Sequence, residues 1–332
     1  MIMKKKIALM LAAIMTFGFG SVVYGTTQNG AAEITQSESG EHADPEQELL
    51  SKVVVYNSSV CTVLEAFGKS DAIVGAYGSL SEEYGVPECG KWNEVDVEAV
   101  IDTGAEAILG YKKYTTPEQI EMLKEAEIEC YFIELCDADM VADEVEQLGE
   151  LFGCKEKSSG FVEFYQTYDA LLKERLASAE SGLHAYVEGT AKEPFKTANH
   201  TTAAHKLLEG AGLINIYADN ETAYPERNLE AVISAEPDVI VKLMGAGDIL
   251  EEALFDEYAG SLAGVKAADN GKVILLNNEV GTTAIGSIVG RLYIAKFAYP
   301  DLFTDVDVDA VYEQLCLDFL GKEFTGSGVY FK

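Results

Sequence analysis

The chain has 332 residues, of which 48% are hydrophobic and only 7 are proline, so it can form two sizeable hydrophobic cores and is too apolar to be disordered throughout. Its formal net charge of −32 produces a surface that repels nucleic acid and anionic lipid. Composition and charge therefore exclude a nucleic-acid-binding protein and favour a soluble monomer, but they do not identify a ligand.

The N-terminal segment has the pattern of a secretory signal peptide, with lysines at positions 4–6, an apolar run at 7–23 and the small residue Gly25. Because this run is near the lower limit of roughly 17 residues for a bilayer-spanning helix, an uncleaved anchor is the alternative. No cysteine lies near the end of the run, which argues against a lipid-attachment site (lipobox). We predict an exported protein, periplasmic or at the cell surface, whose signal peptide at 1–25 is cleaved.

The rest of the chain divides into a tether and a globular part. Residues 26–52 are small, polar and acidic, which is typical of a flexible linker. The globular part is predicted to contain an N-terminal lobe at 53–154, an inter-lobe helix at 155–180 and a C-terminal lobe at 181–332.

Strands and helices alternate along both lobes. In the first lobe we predict strands at 52–57, 72–78, 105–111 and 128–135. We predict helices at 58–68 and 116–127, and a further helix that begins near residue 97. In the second lobe we predict strands at 183–189, 238–245 and 272–278, with helices at 202–212 and 248–259. Units of this length imply parallel strand pairing.

A repeat relates the two lobes. The segment "VEAVIDTGAEAIL" at 97–109 returns as "LEAVISAEPDVIV" at 229–241. A duplicated α/β lobe explains this offset, and the fold class is therefore α/β, with two Rossmann-like lobes that each contain a mainly parallel sheet. Between them, apolar side chains recur every three or four residues over 155–179, which predicts one continuous helix of roughly 37 Å.

The order of these elements, together with "GKWNEVDVEAVIDTGAEAIL", "RNLEAVISAEPDVIV" and "NGKVILLN…GRLYIAKFAYPDLF", resembles the helical-backbone (class III) substrate-binding proteins of ABC importers. That family includes ferric-siderophore, haem and cobalamin binders, and the resemblance covers nearly all of 53–332. It implies a non-enzymatic protein that captures a small-molecule iron chelate, a ferric siderophore, and delivers it to an ABC permease dimer with its ATPase. A corrinoid or haem is the alternative ligand. A surface-tethered adhesion or signalling module without transport is the alternative of another class.

Two glutamates of the repeat, Glu98 and Glu230, follow the potential helix caps Asp96 and Asn228, so each carboxylate is predicted to lie in the first turn, where the helix dipole favours an anion. The resemblance implies that they engage arginines of the two permease subunits. The alternative is that they are ordinary N-terminal helix glutamates.

The ligand is expected in the cleft, where loops at the carboxyl ends of the strands of both lobes face each other. That position nominates Ser58, Ser59, Tyr77, Trp92, Tyr111, Lys112, Lys113 and Tyr114 in the first lobe, and Asn199, His200, Tyr224, Met244, Asn278 and Thr282 in the second. Trp92 is the only tryptophan and could stack on a conjugated ligand, or it could pack on its own lobe. The two lysines could attract an anionic chelate, or they could belong to a solvated loop.

Metal and cofactor signals are weak. None of the six cysteines forms a C-x-x-C pair, their pairing stays open, and Cys136 and Cys316 occupy positions typical of buried thiols. Of the four histidines none lies in the first lobe proper, so we predict no bare metal site and no resident cofactor. The resemblance implies an arginine in the last cleft loop of many siderophore binders, but here that loop is uncharged and Arg291 is expected inside the following helix, which argues against a strongly anionic catecholate ligand.

Overall fold

The globular part of the chain is described by a computed structural model. It describes residues 49–137, 139–179, 182–190, 194–245, 248–282, 285–326 and 328–332. The predicted signal peptide and most of the predicted linker lie outside the described residues. Within the described ranges, no helix has both the length and the hydropathy needed to cross a membrane.

The first lobe is built on a four-stranded parallel sheet with the spatial order β2-β1-β5-β6, beside a two-stranded antiparallel hairpin, β3-β4. The strands are β1 (Val53–Val55), β2 (Ile73–Ala76), β3 (Gly90–Lys91), β4 (Glu94–Val95), β5 (Ala107–Gly110) and β6 (Glu129–Phe132). All three residues of β1 are buried, as expected for a central parallel strand that is covered on both faces.

Helices connect these strands. They are α1 (Ser58–Phe67), α2 (Gly78–Tyr84), α3 (Val97–Asp102), α4 (Pro117–Glu125) and α5 (Val141–Leu151). Helix α1 begins where the Asn57 side chain accepts a hydrogen bond from the Ser59 amide, and it ends at Gly68, whose φ of 72° is accessible to glycine without strain. The sequence pattern therefore fixed both ends of this helix locally.

The second lobe contains a five-stranded sheet with the order β11-β10-β9-β7-β8, which is parallel except for the edge strand β11. Its strands are β7 (Leu183–Glu188), β8 (Leu213–Asn215), β9 (Val239–Met244), β10 (Val273–Asn277) and β11 (Val329–Tyr330). Its helices are α7 (Ala203–Gly210), α8 (Leu229–Ala235), α9 (Glu252–Ser261), α10 (Lys266–Asp269), α11 (Ser287–Ala298) and α12 (Val308–Leu315), followed by a π-helical turn (Cys316–Leu320).

The predicted long helix between the lobes is present as α6 (Lys155–Leu176). Phe161 and Phe164 are buried on it, and both rings contact Phe319 of the π-helical turn, at centroid distances of 5.9 and 5.3 Å. One hydrophobic core runs from the first lobe along this helix into the second lobe, while a smaller core covers the other face of each sheet. The predicted α/β class with two lobes and a joining helix is therefore confirmed.

Several elements were not predicted from the sequence, among them α5, β8 and β11. Strand β8 has three residues and β11 has two, so neither is long enough to display the two-residue period of a strand. Both are held in place by pairing with a longer neighbour, β7 and β10 respectively.

Helix α11 passes so close to the loop after β10 that a Cβ atom at Gly290 would overlap the carbonyl oxygen of Val280. We expect Gly290→Ala to lower the free energy of unfolding by about 1–3 kcal/mol, because the backbone must shift to make room. Gly260 near the end of α9 is the control, since a Cβ atom there meets nothing within 4 Å. Urea denaturation should show no loss for Gly260→Ala; equal losses in the two variants would refute the close approach at Gly290.

Candidate functional site

Three aromatic rings form a cluster at the carboxyl-end edge of the first sheet. Trp92 is in the turn of the β3-β4 hairpin, Tyr111 directly follows β5, and Tyr114 ends a short 3₁₀ turn after it. The centroid distances are 5.0 Å for Trp92–Tyr114, 5.9 Å for Tyr111–Tyr114 and 6.4 Å for Trp92–Tyr111, with all ring pairs close to perpendicular. Edge-to-face contacts of this kind stabilise the arrangement of the rings. Because 48% of Trp92 is exposed, the cluster still offers an aromatic surface.

Tyr77 extends this cluster toward the start of α1. Burial raises the pKa of Tyr77, and a hydrogen bond from the Ser58 side chain opposes the shift. The pKa of Tyr111 is also raised, first by burial and then by neighbours that include Tyr77. The structure thus brings Ser58 and Tyr77 to the aromatic cluster. The predicted neighbour Ser59 is half-buried, and its amide is bound by the Asn57 cap.

Tyr224 of the second lobe lies near Tyr114 of this cluster. Its pKa is raised, first by burial of the hydroxyl and then by Tyr114 and Cys136 of the first lobe. The residue as a whole remains 56% exposed. The Tyr224 hydroxyl is therefore close to Tyr114 and Cys136 of the first lobe.

The prediction that Cys136 is a buried thiol is wrong, because this side chain is exposed. The preceding residue, Leu135, adopts a positive φ of 47° and takes the buried position with 1% exposure. Partial desolvation of the thiol by the surrounding protein nevertheless raises the pKa of Cys136 to about 12, with Glu134 and Glu144 adding to the shift. Cys136 shares a small cavity with Thr282 of the second lobe, whereas Cys316 is buried as predicted.

The other nominated residues have differing surroundings. Asn199 is 2% exposed, and its side chain donates to Asn220 O (2.8 Å) and accepts from Thr201, so it holds its own loop. His200 is exposed, with Nδ1 2.8 Å from Ala218 O.

Three further residues lie at the strand ends of the second lobe or just beyond them. Met244 is half-buried, and its carbonyl accepts a hydrogen bond from the Asn278 amide (3.0 Å). The Thr282 hydroxyl donates to the Asn278 side chain. Lys112 and Lys113 are both exposed, and the Lys113 Nζ lies 5.5 Å from the Tyr114 ring centre.

A buried ion pair at the carboxyl ends of β7 and β9 was not predicted. Lys242 Nζ lies 3.0 Å from Glu188 Oε1 and donates to Gly189 O at 2.7 Å. Tyr186 and Tyr258 both donate to Glu188 Oε2, at 3.1 and 3.4 Å. Buried charges require this degree of pairing, so the network fixes the cleft-side edge of the second sheet. A lysine within the apolar strand sequence "VIVKLM" was the available signal.

Arg291 lies within α11, as expected, and its side chain is only 3% exposed. Its guanidinium lies 3.5 Å from Asp169 of α6 and 3.9 Å from Asp139 of the first lobe. Arg291 therefore forms ion pairs with the inter-lobe helix and with the first lobe. Elsewhere in the described ranges, no group of three or more His, Cys, Asp or Glu side chains is arranged to hold a metal ion.

Glu98 and Glu230 occupy equivalent places in the two lobes. Both are exposed in the first turn of a helix, α3 and α8 respectively. Asp96 caps the first helix by accepting from Ala99 N at 3.1 Å, and Asn228 caps the second by accepting from Ala231 N at 2.9 Å. The predicted caps are confirmed. Neither glutamate side chain has a hydrogen-bond or ion-pair partner among the residues that the structure describes.

Comparison with known proteins agrees with this architecture. The family model described as periplasmic binding protein matches residues 53–280. The chain belongs to the periplasmic binding protein family. Proteins of this family are exported, bind small molecules and work with ABC transporter permeases, and they are not enzymes.

Three similar proteins illustrate the range of the family. The vitamin B12-binding protein of Salmonella typhimurium (strain LT2) is 21% identical over 221 residues, which cover 64% of this chain and 78% of the relative. The structure of the TroA-like periplasmic binding protein FepB from Veillonella parvula matches with a TM-score of 0.71 and 18% identity, over 86% of this chain and 95% of that one. A periplasmic haem-binding protein from Pseudomonas aeruginosa matches with a TM-score of 0.57 and 16% identity, over 75% and 93%. At these identities, the two structures show a shared fold.

Proposed function

We propose that this periplasmic binding protein captures an iron chelate, a ferric siderophore, in the cleft beside Trp92 and delivers it to an ABC importer permease. The observation that carries the proposal is the half-exposed Trp92–Tyr111–Tyr114 cluster, with Tyr224 of the second lobe close to Tyr114. Aromatic rings from both lobes suit a ligand with flat, conjugated or apolar faces. Delivery rests on the family and on the exposed pair Glu98 and Glu230.

The charge of the cleft favours a chelate of low net negative charge. Lys112 and Lys113 are exposed beside the aromatic cluster, but the nearby Cys136 loop carries Glu134 and Asp137. Arg291 forms an ion pair with Asp169 of α6 and therefore does not supply a positive charge to the ligand site. A neutral hydroxamate complex therefore fits better than a catecholate complex that carries several negative charges.

Cobalamin is the second candidate ligand. It is favoured by the curated relative from Salmonella typhimurium, which binds vitamin B12 and aligns with 64% of this chain. The corrin ring is flat and conjugated, so the same aromatic side chains would suit it.

Trp92 fluorescence tests the proposal, because it is the only tryptophan in the chain. The mature protein is titrated with ferric hydroxamates, ferric catecholates, cobalamin and haem, with free N-acetyltryptophanamide as the control for light absorption by the chelate. Saturable quenching by a ferric siderophore at micromolar concentration or below supports the proposal. Saturation by cobalamin or haem alone selects that ligand instead. A flat response, together with no heat in calorimetry, would favour an adhesion or signalling module.

Cys136 offers a second readout of the same cleft. We expect a chelate that quenches Trp92 to slow the alkylation of Cys136 by about tenfold or more, because the thiol lies near Tyr111 and Tyr224. Its raised pKa slows alkylation by lowering the thiolate fraction, so the rates with and without chelate are compared at one pH, 8.5, by mass spectrometry of the modified peptides. Cys154, at the start of α6, is the internal control. Equal rates at Cys136 with and without chelate would place the ligand elsewhere.

A further inference from the structure

Two exposed isoleucines occur at equivalent positions of the repeat. Ile101 follows Glu98 by three residues in α3, and Ile233 follows Glu230 by three residues in α8. Their exposed fractions are 43% and 37%. Single exposed apolar residues are normal on protein surfaces, but here the same exposed pair of an acid and an isoleucine appears once on each lobe.

The geometry of the helices places each isoleucine beside its glutamate. Side chains three residues apart in a helix lie on the same face, so Glu98 and Ile101 are surface neighbours, and so are their equivalents on the second lobe. The valines that precede them, Val100 and Val232, are fully buried and pack in the core. The isoleucines are therefore not needed to fill the core, and each lobe presents a patch that is both apolar and acidic.

We infer that Ile101 and Ile233 are apolar anchors that insert into equivalent pockets on the two subunits of the permease, beside the basic residues that receive Glu98 and Glu230. This inference rests on the proposed delivery function and names further residues of its docking surface. Two matching patches on one chain fit a partner with two matching surfaces, which a permease dimer provides. The acidic side chains call for a basic rim, and the isoleucines call for an apolar centre.

Site-specific cross-linking in the producing cells tests the location. The photoreactive residue p-benzoylphenylalanine is placed at Ile101, at Ile233 or at Ile214, an isoleucine of β8 that is 48% exposed and lies outside the repeat. Cross-links from both repeat positions to one ABC permease polypeptide, identified by mass spectrometry, with none from Ile214, support the inference. Absence of permease cross-links at Ile101 and Ile233 would overturn it.

Serine variants test the strength of the contact with the permease so identified, reconstituted with its ATPase in nanodiscs. Ile101→Ser and Ile233→Ser should each weaken docking about fivefold, since each removes part of a side chain's apolar burial, while Ile214→Ser should not. Added salt should weaken docking through the glutamates but leave the isoleucine effect unchanged. Wild-type docking of the double serine variant would overturn the inference.

The isoleucine anchors and the proposed function can be rejected independently of each other. Loss of docking in Glu98→Ala with no effect of the serine variants would reject only the isoleucine anchors. Failure of the Trp92 titration would reject the ligand assignment, while the docking measurements would stand on their own.

Discussion

Simultaneous replacement of Glu98 and Glu230 by alanine is expected to reduce chelate uptake by about 100-fold or more while leaving chelate affinity unchanged. Both side chains are exposed and have no partner among the described residues, so their removal does not disturb the fold. Truncating one member of a charge-assisted interface pair costs about 2–5 kcal/mol, and two such contacts are lost. Uptake of labelled chelate by the producing cells and Trp92 titration of the purified variant measure the two properties.

Glu118 supplies a matched control for this experiment. It is also exposed in the first turn of a capped helix, α4, but it lies outside the repeat. We expect Glu118→Ala to transport at the wild-type rate. If the double variant transported as well as this control, the docking role of the two repeat glutamates would be rejected, and they would be ordinary N-terminal helix residues.

Replacement of Trp92 by alanine is expected to weaken chelate binding about 30-fold, which corresponds to about 2 kcal/mol. The loss combines apolar contact with the ligand and the edge-to-face support that Trp92 gives to Tyr111 and Tyr114. Because the variant has no tryptophan, isothermal calorimetry replaces fluorescence. Tyr224→Ala should also weaken binding, since Tyr224 lies close to Tyr114 of the cluster.

Phe331 is the control for Trp92 because it is an equally exposed aromatic residue, 49% against 48%, that packs on Phe297 away from the cluster. Phe331→Ala should bind the chelate with unchanged affinity. A Trp92→Ala variant that is folded and binds as tightly as Phe331→Ala would show that Trp92 packs on its own lobe and does not contact the ligand.

Local sequence patterns predicted the framework well where one element carries its own signal. The long helix α6 was predicted from its apolar stripe, and the caps Asp96 and Asn228 were predicted from residue type and position. The short strands β8 and β11 were not predicted, because their stability comes from pairing with a neighbouring strand.

The cleft was predicted only in part. Following each strand to its carboxyl end nominated Tyr77 and Tyr111, which lie together in the structure, but it did not nominate Cys136, whose exposure depends on the backbone turn at Leu135. The buried partner of Lys242 was also not predicted, since Glu188 lies 54 residues away in sequence and becomes its neighbour only when β7 pairs with β9.

The sequence by itself determined the α/β class, the duplication, the joining helix and the repeated Glu98 and Glu230, because periodicity, capping and repetition are properties of short segments. The tertiary structure decided that Tyr224 comes close to Tyr114, that Arg291 is paired between the lobes, and that Ile101 and Ile233 are left exposed. These are contacts, or their absence, between residues far apart in the chain. They depend on how two sheets and one helix pack, which no local pattern encodes.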